Sequence, residues 1–189
     1  MKKKTSKKNP PGLDTAALMD ALKASGRLHV VPPDEHWGPQ YRYAEENGTL
    51  VHTQFNFQST RRATLRDDGR CGWLYLSGPH DSDKLAASCW LYNRVEAPET
   101  ADEAAVAKGL PTPAPRGQLK DPRPSEPPKS PWFRWGNNGN SVAVIDGSTV
   151  YGYVVAGRTR GRSLELVGET PFGAEIDWDE FEDVFKMVL

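Results

Sequence analysis

Apolar and polar positions alternate from Val51 to Gln58. Val51, Thr53, Phe55 and Phe57 fall on one side, and His52, Gln54, Asn56 and Gln58 on the other. A period of two predicts a β-strand with one packed face and one face turned to water, a ligand or a partner. The strand belongs to a hairpin running from Gln40 to Glu46 and from Thr49 to Ser59. Asn47-Gly48 sits at its tip, a pair suited to a type I′ turn because both central residues take positive φ. A second hairpin joins 62–66 to 71–76 through Asp67-Asp68-Gly69, and 86–95 reads as a further strand. A short strand is expected at 27–31. In the second half, 141–145 and 149–156 flank the turn Asp146-Gly147, and 163–167 reads as the last strand.

Two segments change to a helical period. Over 13–25, Asp14 is placed to cap the first turn, and Leu13 and Leu18 have the spacing of a hydrophobic staple. Leu18, Ala21 and Leu22 form its stripe, and Gly26 ends it. Over 177–189, Asp177 is the cap, with Glu180 at the capping-box position. Trp178, Phe181, Val184, Phe185 and Val188 recur every three or four residues, opposite Asp179, Glu182 and Asp183.

Between the halves, eight of the 16 prolines lie within 111–131. Proline fixes φ and lacks the ladder donor, so 97–131 reads as an extended surface connector with at most a helical turn or two near 100–108. The predicted fold is therefore α+β: one mainly antiparallel, hairpin-rich sheet of about seven strands, flanked by N- and C-terminal helices. Residues 1–12 read as a disordered basic tail and 13–189 as a single domain, with the second half adding its hairpin to the same sheet.

Composition adds an aromatic-rich core, since six Trp, six Tyr and six Phe accompany a 37% hydrophobic content. The net charge of −1 argues against bulk attraction to nucleic acid. No apolar stretch follows the lysines of residues 2–8, so a cytoplasmic location without a membrane segment is the expectation. Cys71 and Cys89 sit in apolar sequence and read as reduced, buried small hydrophobes.

Candidate chemistry is sparse. The four histidines have no metal-ligand spacing, and Gly136-Asn137-Asn138-Gly139-Asn140 precedes a strand where a phosphate loop would follow one. No cofactor or metal is implied. Charge is unevenly spread, however: residues 1–70 carry 12 Lys/Arg against 8 Asp/Glu, whereas 165–189 carry 8 Asp/Glu against Lys186 alone. An acidic end can steer and hold a basic surface. Asp179, Glu182, Asp183 and Glu175, with Trp37, Trp132 and Trp135 as anchors, are the candidate partner-binding residues. The function expected on this basis is a small inhibitor, of the kind of a bacterial immunity protein or antitoxin, that plugs the basic active site of a toxin. One alternative is an enzyme with its site on the 40–58 hairpin, using His52, Gln54, Asn56, Tyr41 and Tyr43. In that reading Arg158, Arg160 and Arg162 form an anion-binding turn. A second alternative is a nucleic-acid binder using the lysines of residues 2–8 with Arg61, Arg62, Arg66 and the arginines of 158–162.

Overall fold

The computed structural model describes residues 29–31, 40–82, 84–136, 138–158 and 160–186. The basic tail, the 13–25 helix and Trp37 lie outside the described residues. The first sheet is a meander of six strands in sequence order: β1 (His29–Val31), β2 (Gln40–Ala44), β3 (Leu50–Asn56), β4 (Arg61–Asp67), β5 (Cys71–Ser77) and β6 (Leu85–Asn93). Every neighbouring pair is antiparallel.

The β2–β3 turn differs from the type I′ expectation. Gly48 has φ +83°, but Asn47 is not in the left-handed region. Gly48 N–H donates to Glu45 O at 2.9 Å and Glu45 N–H to Thr49 O at 2.8 Å. This is a three-residue loop closed by a left-handed glycine, the other common way to match strand twist.

The second half does not extend that sheet. It forms its own, in the order β11-β12-β10-β9-β8-β7. The strands are β7 (Trp132–Trp135), β8 (Ser141–Asp146), β9 (Thr149–Val155), β10 (Arg162–Ser163), β11 (Glu169–Thr170) and β12 (Gly173–Glu175). All its pairs are antiparallel except β10 with β12. The described chain thus has twelve strands, where about seven were expected. The excess comes from the short β1 and from the 162–175 region, where pieces of two or three residues replace one strand.

The two sheets share one core. Leu65, Leu74, Leu76, Cys89 and Leu91 of the first meet Phe133, Trp135, Val142, Val144 and Val154 of the second. The outer face of the second sheet is covered by α2 (Trp178–Phe185), capped by Asp177, whose Oδ1 accepts from Glu180 N–H at 3.0 Å. Phe181 and Phe185 pack on Tyr153 with ring centroids 5.5 and 5.7 Å away. Burying each ring stabilises by about 1.5–3 kcal/mol, which fixes the orientation of so short a helix.

The proline-rich segment is an extended connector, as expected, but part of it packs on the outer face of β5 and β6 through Ala97, Ala114 and Leu119. It carries the short helix α1 (Glu103–Ala107), and its residues 112–115 are buried. Trp73 Nε1–H donates to Thr112 O at 3.0 Å, and Asn93 brackets Ala114 with bonds of 2.8 and 3.0 Å. Backbone groups that proline leaves without ladder partners are satisfied here by side chains of the sheet. No helix among the described residues is long and apolar enough to cross a membrane.

Candidate functional site

The alternating strand β3 faces opposite to the simplest reading of its pattern. His52, Gln54 and Asn56 are buried between the sheets, while Phe57 is 66% exposed with Phe55 edge-on beside it. Each of the three side chains has at least one partner, although His52 Nδ1 and Asn56 Nδ2 have none. His52 Nε2 lies 2.7 Å from Gln40 Oε1, and its ring sits 4.8 Å from that of Phe133. Gln54 Oε1 accepts from Trp135 Nε1–H at 2.8 Å. Asn56 Oδ1 accepts from the backbone N–H groups of Gln58 and Ser59 at 2.9 and 3.0 Å. Gly139, with φ +65°, passes so close to Asn56 that a Cβ there would lie 2.7 Å from its side chain. Burial, reinforced by the charge of Arg42, lowers the His52 imidazole to about 3. A ring that is neutral at physiological pH and so weakly basic is a poor general base. Tyr41 and Tyr43 alternate to the other side of β2 and do not join the buried row, although Tyr43 borders the cleft that His52 also lines.

One end of this inner row opens into a cleft of about 570 Å³. Arg42 and His52, cross-strand neighbours on β2 and β3, lie on one wall. Asp67 and Arg94 lie on another, and Pro127, Pro128, Lys129 and Pro131 form a third. Asp67 accepts from Tyr92 O–H at 3.1 Å and from Arg94 at 3.3 Å. Burial, together with that carboxylate, pushes the Tyr92 phenol above its ordinary value. Two buried atoms in the cleft wall have no hydrogen-bond partner: Arg42 Nε and His52 Nδ1. Leaving a buried polar group unmade costs about 1–3 kcal/mol, so such atoms mark places where a partner is wanted.

The arginine turn is already engaged. Arg158 and Arg162 both pair with Glu180, at 2.6 and 3.1 Å, and Arg160 pairs with Glu169 at 3.6 Å. The Glu180 side chain is only 11% exposed and also accepts from Tyr153 O–H at 3.1 Å. Glu180 therefore ties α2 to β9 and β10 and does not close a capping box. The Tyr153 phenol is pushed up by burial and by that carboxylate. Arg61, a candidate nucleic-acid contact, donates to Asn140 Oδ1 and Ser77 O, each at 2.9 Å.

The opposite face of α2 is free of the core. Asp179, Glu182 and Asp183 are exposed, with Asp183 paired to Lys186. Trp178 is 50% exposed, edge-on to Phe181. Of the other candidate anchors, Trp132 is exposed on β7 but Trp135 is buried, so Trp135 presents nothing to a partner. Glu175 pairs with Lys120 at 2.8 Å, which lowers its carboxyl below the usual range. Spacing alone puts Trp178 in the apolar stripe. Its place in the first turn, at the end of that stripe, is the signal that it overhangs the core.

Cys71 and Cys89 are buried free thiols, pushed up by desolvation. Among the described residues no group of three His, Cys, Asp or Glu side chains is arranged to hold a metal ion. No family model, curated protein or solved structure matches this chain.

Proposed function

We propose that this protein acts by binding another protein, docking the exposed face of α2 on a basic surface of its partner. The observation that carries this reading is the arrangement on one helix of a half-exposed indole, Trp178, beside Asp179 and Glu182. Neither carboxylate makes a close ion pair among the described residues, and Glu182 lies within electrostatic reach of Lys186. Aromatic side chains are prominent among the anchors of protein interfaces, and surrounding charge sets the encounter rate and the choice of partner. Glu180 supports the same reading from below, because it holds the helix rigid through Arg158, Arg162 and Tyr153. A rigid platform loses little entropy on docking. Within this class, the reading we favour is an inhibitor that occludes the cationic cleft of a toxin, with the carboxylates taking the places of substrate anions.

Site-specific photo-cross-linking in extract of the native host tests the reading. A benzophenone side chain at position 178 or 182 is expected to give one dominant adduct with a protein bearing a basic surface. The same probe at Lys108, exposed beside α1, is expected to give none of that adduct. Adducts that are the same at all three positions, or absent from 178 and 182, contradict the proposal.

A further inference from the structure

The cleft at the end of the inner row plays no part in the α2 face, and its chemistry is specific. The unpartnered Arg42 Nε is a donor. His52 is 4% exposed and neutral, and with Nε2 directed to Gln40 Oε1 its lone pair is on Nδ1. The two residues are opposite one another across β2 and β3, so their side chains share one face of the sheet beside the cleft. Leu50, Val51, Leu65 and the prolines make the remaining lining largely apolar. The volume of about 570 Å³ lies within the range of pockets that hold small molecules.

We propose that this cleft binds a small amphipathic monocarboxylate whose apolar body carries an N–H or O–H group. The carboxylate accepts from Arg42, the donor meets His52 Nδ1, and the body covers the apolar wall. Asp67 is paired to Arg94, so with Arg42 and Lys129 also on the walls the cleft keeps an excess of positive charge for one anionic group. The walls are held in place without a ligand. Arg42 donates to the Pro131 carbonyl, and Asp146 Oδ2 accepts from Lys129 N–H at 2.7 Å and Ser130 N–H at 3.3 Å. Asp67 is fixed by Tyr92 and Arg94. A preorganised site of this kind spends little of its binding energy on ordering itself.

The test is calorimetric titration of the full chain with three probes. Indole-3-acetate has both polar groups, naphthalene-1-acetate lacks the N–H, and 3-methylindole lacks the carboxylate. Indole-3-acetate is expected to bind at one site, about tenfold or more tighter than 3-methylindole because only it pairs with the guanidinium. It is expected to exceed naphthalene-1-acetate by about fivefold through the His52 acceptor. His52→Phe keeps an aromatic ring and removes the lone pair, and is expected to bring the two carboxylates within about twofold of each other. Ala44→Trp fills the cleft while leaving Arg42 and His52 in place, and is expected to abolish binding of all three. No saturation by any probe at millimolar concentration overturns the proposal. So does equal affinity for the three, or binding that both variants leave unchanged. The α2 reading stands or falls separately, because its cross-links do not involve this cleft.

Discussion

The indole N–H of Trp135 donates to Gln54 Oε1 at 2.8 Å, joining residues 81 positions apart on the facing sides of the two sheets. This bond explains why a polar row can point inward. Gln54→Leu removes the acceptor beneath the indole and is expected to lower stability by about 1–3 kcal/mol in urea denaturation. Trp135→Phe is expected to cost less when combined with Gln54→Leu than in the wild type, and additive losses would show that the two side chains are not coupled.

Glu180 is the joint between helix and sheet. Glu180→Gln keeps the shape and removes the charge that Arg158 and Arg162 share. A loss of about 1–3 kcal/mol is expected, concentrated as faster amide hydrogen exchange over 178–185. Arg158→Ala is expected to cost less than about 1 kcal/mol, because that guanidinium is half in water and its pair is screened. Uniform exchange across both sheets in Glu180→Gln would mean that the residue supports the whole fold instead of the helix.

His52 makes stability depend on acidity in a defined direction. The unfolded chain takes up a proton on this imidazole below about 6.5, whereas the folded state holds it near 3. Its contribution is complete above pH 6.5 and is lost as the pH falls from there toward 3. The limiting slope is roughly 1.4 kcal/mol per pH unit. Between pH 7 and 5 the wild type is expected to lose about 1–2 kcal/mol more than His52→Gln. Urea midpoints that fall in parallel for the two proteins would contradict the burial of a neutral ring.

Much of the architecture was legible because it is encoded locally. The Asp177 cap, the Phe181/Phe185 stripe and the paired strands around Gly48, Gly69 and Gly147 depend on neighbours a few residues away. The facing of β3 was not legible. Its period gave the alternation, but which row lies inside depends on Gln40, Phe133, Trp135 and Gly139, most of them some 80 positions further along. The same kind of separation hides the role of Glu180, whose acidity reads in the sequence as part of a surface patch although Arg158 and Arg162 lie against it. The proline-rich segment shows a burial that its composition hides. Its composition excludes helix and sheet, yet Trp73 and Asn93 supply the hydrogen bonds that let Thr112 and Ala114 be buried. The candidate cleft had one signal in the sequence, a histidine in an alternating strand, and no sign of Arg42 beside it.

The most direct test of the docking face is the association rate with the protein cross-linked from position 178. Asp179→Asn, Glu182→Gln and Asp183→Asn combined leave the Glu180 joint intact. Long-range attraction predicts that the triple variant associates about tenfold more slowly at low salt, and that the gap closes near ~0.3 M salt as screening removes it. An unchanged rate and affinity at both salt concentrations would contradict the claim that the acidic face of α2 meets the partner.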